Sequence, residues 1–180
     1  SNSPRRKELL SGLGICYEVK TLPGIEESYP DTLSGEEIPV FIACEKADAY
    51  RQTMHSDELI ITADTIVWLD GLVMGKPEDE EDARRMLRCL SGKTHQVITG
   101  VCLTTTEFQK SFATVTDVTF AELTEEEIDY YVQKYKPMDK AGSYGIQEWI
   151  GFVGVEGITG SYFNVMGLPI QRLYKELKKL

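Results

Sequence analysis

The sequence predicts an α/β protein built on a mixed, twisted β-sheet flanked by helices. Two observations carry that class. Runs rich in β-branched and aromatic residues ("IITADTIVW", "HQVITGVCL", "FATVTDVTF") alternate with amphipathic runs at helical spacing, and the two kinds intermix without strict βαβ alternation. With 180 residues and 42% hydrophobic content, the chain can bury a sizeable core as one domain spanning 1–180, divided into two lobes.

The chain opens "SNSPRRKELL". Pro4 suits a first helical position, where its missing N–H is no loss, and Ser3 before it is a natural N-cap. Leu9, Leu10 and Leu13 supply one apolar face, and Gly14 follows the helix end. "ICYEVKT" alternates as a short strand, and the polar loop "LPGIEESYPDTLSGEE" leads to a helix with Val40, Phe41, Cys44 and Ala47 on one side. Ser34 and Glu37 have capping-box spacing ahead of it. In "ELIITADTIVWLDGLVMGKP", two β-rich runs flank Asp70-Gly71, a strong hairpin signal. The acidic stretch "EDEEDA" starts a helix with Ala83, Met86, Leu87 and Leu90 inward, stopped by Ser91-Gly92. Two adjacent strands follow. Thr124 and Glu127 form a second capping box for a helix with Ile128, Tyr131, Val132 and Tyr135 inward, ended by Lys136-Pro137. After a glycine-rich stretch, Pro169 begins a final helix carrying Ile170, Leu173, Tyr174 and Leu177.

A formal charge of −10 argues against a general nucleic-acid binder, whose affinity needs clustered cations facing phosphates. Cys16, Cys44, Cys89 and Cys102 are widely spaced and form no C-x-x-C pair, which disfavours zinc and fits buried thiols in a reducing compartment. No apolar run approaches a membrane span and no signal peptide is visible. The expectation is a cytoplasmic protein with neither nucleic acid nor membrane as partner.

Asp64 stands out because a carboxylate in the middle of an apolar strand costs several kcal/mol unless it is paired, hydrogen-bonded or metal-bound. The competing reading, a turn cap beside Thr65, lacks neighbouring Gly, Pro or Asn. Lys46 and Lys76 are ambiguous alone, as is the loop pair Glu26 and Glu27, which could hold a divalent cation. Gln147 ends "DKAGSYGIQ" with an amide that both donates and accepts, as base recognition requires. Gly160, Ser161 and Asn164 precede a helix start as a candidate anion-binding turn. His95 reads as structural. Arg5 and Arg6 occupy a first helical turn, where cations are disfavoured unless an anion is expected.

"S-x-S-P-R-R", "E-K-A", "A-D-T-I-V", "G-K-P", "S-G-x-x-H-x-V-x-T-G-V", "D-K-A-G-S-Y-G-I-Q" and "G-S-Y-x-x-V-x-G-L-P" stand in the order seen in Maf proteins, which are nucleoside triphosphate pyrophosphatases. The resemblance covers essentially the whole chain. Family members carry a short β-strand before the serine motif, and the sequence given begins at that motif. The resemblance implies two lobes around a cleft and a homodimer. It also implies a triphosphate surrounded by Ser1, Arg5, Arg6, Lys46 and Lys76, Asp64 as the catalytic carboxylate, and Glu27, rather than Glu26, as its acidic partner. A divalent cation is expected on Asp64 and Glu27, with Mg²⁺ ahead of Mn²⁺. Arg5, Thr65 and Gln147 match the branch acting on dTTP and UTP, whereas the branch favouring 7-methyl-GTP has Trp, Gln and Glu there. Modified pyrimidines such as 5-methyl-UTP and pseudo-UTP share the same base edge. The alternative is a nucleotide-binding regulator of cell division or septum formation with incidental hydrolysis. Asp64, Lys46 and Lys76 together favour the enzyme.

Overall fold

The β-rich and amphipathic runs become five strands and seven helices in a computed structural model that describes residues 1–180. In chain order these are α1 (Pro4–Ser11), α2 (Glu37–Arg51), β1 (Ile60–Leu69), β2 (Leu72–Met74), α3 (Glu80–Leu90), β3 (Thr94–Thr104) and β4 (Gln109–Phe120). There follow α4 (Glu125–Tyr135), α5 (Trp149–Gly154), β5 (Val155–Thr159), α6 (Tyr162–Met166) and α7 (Ile170–Leu177), with a 3₁₀ turn at Ala141–Ser143. The strands form one sheet in the order β2-β1-β3-β4-β5. β1 and β2 pair antiparallel, with Val67 opposite Met74, and β4 and β5 pair antiparallel, with Val118 opposite Ile158. Between β1 and β2, Asp70 and Gly71 both take positive φ (51° and 81°), as a two-residue primed turn requires.

The chain divides into two compact units. The first comprises Ser1–Thr65, Ile98–Thr114 and Gly167–Leu180. Its α1 is capped as the sequence predicts, the Ser3 hydroxyl accepting from the Arg6 N–H at 3.4 Å. α2 crosses β3 at Gly100, where a Cβ would lie 2.4 Å from the Val40 nitrogen, so only glycine lets helix and strand approach that closely. The inward face of α2 consists of Ile38, Pro39, Ile42, Ala43 and Ala47. The expected face is therefore rotated: Ala47 is buried, but Val40, Phe41 and Cys44 are only half-buried. Of the first capping box, the Glu37 carboxylate accepting from the Ser34 N–H (3.3 Å) is formed. The helix starts two residues later than a Ser34 cap implies, and the residue at its N-cap, Glu36, makes no capping hydrogen bond.

Residues 15–21 are not a strand. Their alternation has no pairing partner to exploit, and side chains bind the backbone instead. The Tyr17 hydroxyl donates to the Lys7 carbonyl (3.0 Å), and the Tyr50 hydroxyl takes both the Lys20 carbonyl (3.1 Å) and the Leu22 N–H (3.0 Å). In α7, Leu173 is buried as predicted, but Tyr174 is exposed and Glu176 takes an inward position. Lys110 (2.6 Å), Arg172 (3.0 Å) and Lys179 (3.2 Å) surround the Glu176 carboxylate and pull its pKa down to about 2, Lys110 most strongly.

The second unit comprises Ile66–Val97 and Val115–Met166. Ala83, Met86, Leu87 and Leu90 line the buried side of α3, as their spacing predicts, and Asp79 caps the helix through the Asp82 N–H. α4 carries the complete reciprocal capping box of Thr124 and Glu127 (3.1 and 2.8 Å). Ile128, Tyr131 and Val132 point inward, and Tyr135 is half-buried against Tyr131. His95 is buried edge-on to Phe120 and Tyr144, its Nε2 hydrogen-bonded to the Tyr144 hydroxyl at 2.5 Å. It is a core group, and burial lowers its pKa to about 4.

Candidate active site

Asp64 lies in the middle of β1 and is 8% exposed. It is not a turn cap. Successive side chains of a strand point to opposite faces. Thr62 and Asp64 accordingly face α2, where the Thr62 hydroxyl donates to the Ala43 carbonyl at 2.7 Å. That bond sets the helix against the strand one turn before Lys46. The Lys46 ammonium then reaches the Ala63 carbonyl (3.3 Å), Asp64 Oδ1 (3.4 Å) and Glu27 Oε1 (3.1 Å). Two carboxylates thus converge on one cation, one on an inner strand and one on the exposed 22–30 loop. Burial raises the pKa of Asp64; Lys46 and then Arg6 oppose the rise, and Glu27 adds to it.

Thr65, the next residue, is reached from α1. Arg6 Nη2 donates to the Thr65 hydroxyl (3.1 Å), Nε to the Gly167 carbonyl (2.8 Å), and Nη1 to the Ser1 hydroxyl (3.3 Å). Thr65 and Thr99 share a further hydroxyl contact at 2.8 Å. The oxygens holding Arg6 are all neutral, so its charge is oriented without being neutralised by a bonded carboxylate. Arg5 is half-buried beside it in the first turn of α1, a turn with no acidic residue. The acidic first turns of α3 and α4 complement the helix dipole, whereas α1 places cations on its positive end. The first unit therefore holds two sets of contacts, Ser1–Arg6–Thr65 and Glu27–Lys46–Asp64, that meet at the chain neighbours Asp64 and Thr65.

Lys76 and Gln147 belong to the second unit. Lys76 is exposed just after β2. Gln147 is exposed in a tight turn closed by the Glu148 N–H donating to the Gly145 carbonyl at 2.9 Å. The buried Tyr131 hydroxyl holds both ends of that turn, donating to Glu148 Oε1 (2.6 Å) and accepting from the Gly145 N–H (3.0 Å). Burial and then Glu148 raise the pKa of this phenol, keeping it a donor. Sequence reasoning placed Tyr131 inward but missed this clamp, because a hydroxyl's partner across the fold leaves no periodic signal. It likewise missed Thr99 and the Gly167 carbonyl. At the candidate anion turn, Ser161 and Asn164 make hydrogen bonds within the fold. Ser161 caps the Asn164 N–H (3.1 Å), and the Asn164 amide donates to the Val97 carbonyl (3.1 Å) and the Thr116 hydroxyl (3.0 Å).

No group of three or more His, Cys, Asp or Glu side chains is arranged to hold a metal ion. The two carboxylates that meet at Lys46 do fit Mg²⁺, which is bound through one or two carboxylates with waters and substrate phosphates supplying the rest.

A cluster of cations, hydroxyls and paired carboxylates on an α/β frame is chemically suited to phosphate-containing substrates. A family model described as "Maf-like protein" matches residues 1–180, and the chain belongs to that family. It is 82% identical to a dTTP/UTP pyrophosphatase of Phocaeicola vulgatus over 180 residues, covering 100% of this chain and 93% of the relative. Relatives with the same description share 69% identity in Bacteroides thetaiotaomicron (100% and 93% covered) and 48% in Flavobacterium psychrophilum (97% and 89% covered). No helix is long and apolar enough to cross a membrane.

Proposed function

We propose that residues 1–180 act as one nucleoside triphosphate pyrophosphatase domain that hydrolyses dTTP and UTP to the nucleoside monophosphate and pyrophosphate. The observation that carries this is the buried Asp64 carboxylate, ion-paired to Lys46 at 3.4 Å on the strand that also presents Thr65 to Arg6. The relatives' shared description supports the choice of substrate.

In this reading Asp64 orients the attacking water and takes its proton. A carboxylate whose pKa burial has raised is better matched to that task near neutral pH than an exposed one. Lys46 keeps Asp64 ionised between turnovers and, with Arg5 and Arg6, stabilises charge that grows on the departing pyrophosphate. Charge-assisted hydrogen bonds are worth roughly 1.5–3 kcal/mol each, so several cations supply a substantial part of the barrier reduction. Ser1 supplies a hydroxyl to the same anion. Glu27 and Asp64 are the side chains that would hold a divalent cation. When bound, that cation neutralises phosphate charge and polarises a phosphoryl oxygen. Lys76 is proposed as a further phosphate cation and Gln147 as the amide that reads the uracil or thymine edge. A homodimer in the cytoplasm completes the proposal.

The test is pyrophosphate release from dTTP, UTP, CTP and GTP, each with Mg²⁺, Mn²⁺ or a chelator, with sedimentation to fix the oligomeric state. Turnover of dTTP and UTP that needs the divalent cation is expected. Tight dTTP binding without pyrophosphate release would instead favour a nucleotide-binding regulator.

A further inference from the structure

We propose that Cys44 and Cys102 are a dithiol that a hydroperoxide oxidises reversibly to an intrachain disulfide within the first unit. The two sulfurs lie 3.6 Å apart, one on α2 and one on β3. Their proximity follows from the backbone. Helix and strand touch where Gly100 meets Val40. Cys102 is two residues along the strand from Gly100 and returns to the same face. Cys44 is four residues along the helix from Val40, one turn further on the same side. Two strand residues advance about 6.6 Å and four helical residues about 6 Å, so the thiols remain in step just beyond the closest approach. A disulfide is about 2.05 Å long, and closing the pair asks for a movement of about 1.5 Å, within reach of side-chain rotation.

The two thiols are chemically unequal, as an attacking and a resolving cysteine should be. Cys44 is half-buried, whereas Cys102 is fully buried in a cluster with Ala43 and Ala47. Their shared hydrogen bond holds the Cys44 thiol below the usual cysteine range against its burial, with the Ser111 hydroxyl helping, and pushes Cys102 up. In the first step the Cys44 thiolate attacks the peroxide. An S–O bond forms, the O–O bond breaks, and the leaving oxygen departs as water or an alcohol after protonation. In the second step the Cys102 sulfur displaces hydroxide from the sulfenic acid. The S–S bond forms, and the Cys102 proton leaves with the hydroxide as water. Overall the dithiol loses two electrons and two protons, and the peroxide gains them.

The full chain would be treated with hydrogen peroxide, alkylated, digested without reduction and mapped by mass spectrometry. A cross-linked pair of peptides bearing Cys44 and Cys102, lighter by two hydrogens and released by dithiothreitol, is expected, with Cys16 and Cys89 still alkylated. In Cys102→Ser the Cys44 sulfenic acid has no resolving partner and should be captured by dimedone. In Cys44→Ser the Cys102 thiol should stay reduced at the same peroxide dose. Wild-type protein in which Cys44 and Cys102 remain alkylatable while Cys16 is oxidised would overturn the proposal. So would a disulfide that joins Cys44 to Cys16 or to a second copy of the chain.

Discussion

Lys46 faces two carboxylates at once, 3.1 Å from Glu27 and 3.4 Å from Asp64, and that position makes its charge a control on the ionisation of Asp64. Replacing it by an uncharged side chain of similar length removes the largest influence opposing the burial of Asp64, whose pKa must then rise further. In the proposed mechanism the ionised carboxylate is the base, so activity should be lost as pH falls through that pKa. Lys46→Met should therefore move the acid limb of the kcat/KM profile to higher pH, as well as lowering the plateau. An unmoved limb in a pH–rate series would separate Lys46 from the ionisation of Asp64. For Asp64 itself, Asn keeps the shape and abolishes the base, so Asp64→Asn should lose roughly 10²- to 10⁴-fold in kcat. Binding of dTTP, followed by calorimetry, should survive because the change removes negative charge near phosphates. Wild-type turnover in this variant would exclude Asp64 from proton transfer. Asp64 was legible in the sequence because a mid-strand carboxylate breaks the apolar pattern. Lys46 was ambiguous from its own neighbours and was singled out only through the Maf resemblance, since its pairing depends on which face of α2 meets β1.

At the scale of elements, the helices with short-range signals came through. The reciprocal cap of α4 is made within one turn and the four inward residues of α3 repeat at helical spacing, so the sequence displays both directly. The strand expected at 15–21 failed because a strand depends on a distant partner, and the Tyr50 hydroxyl occupies the Lys20 carbonyl and the adjoining Leu22 N–H instead. The turn carrying Gln147 shows the same limit. Its glycine was readable, but the Tyr131 hydroxyl that fixes it reaches in from α4. Tyr131→Phe removes both bonds and leaves the Gly145 N–H and Glu148 with one partner fewer. At about 1 kcal/mol per neutral bond and more to a carboxylate, kcat/KM for dTTP and UTP should drop on the order of 10-fold or more. The preference over CTP and GTP should shrink with it. Gln147→Glu is expected to cut the same two substrates selectively, since a second acceptor replaces the amide donor and leaves acceptor against acceptor. In a Gln147→Ala background, Tyr131→Phe should leave the substrate ratio where it is. If the ratio still changes there, Tyr131 acts on specificity by a route other than Gln147.

For the whole molecule, the buried His95 links stability to pH. Its pKa falls from 6.5 to about 4 on folding, so the unfolded chain binds the proton more readily. The neutral ring contributes its full stability above pH 6.5, and that contribution is lost progressively as pH falls from 6.5 towards 4. The shift corresponds to about 3 kcal/mol in all. His95→Phe cannot accept that proton. It should be less stable than wild type at pH 7.5, having lost the bond to Tyr144, yet its urea midpoint should fall less on going to pH 4.5. Parallel falls in the two proteins would show that His95 does not drive acid destabilisation.

The hydrogen bond from Arg6 to the Gly167 carbonyl joins positions 161 residues apart. At about 5–20 residues per second, synthesis of the acceptor trails synthesis of the arginine by on the order of 10–30 s. For that interval the nascent chain holds a cationic helix start whose guanidinium has no Gly167 carbonyl to orient it. The proposed anion site therefore gains its Arg6 anchor only after the 161 residues that follow the arginine have been made. A ribosome stalled before Gly167 would display α1, α2 and β1 with Arg6 still unanchored, which ties completion of the proposed phosphate grip to the synthesis of Gly167.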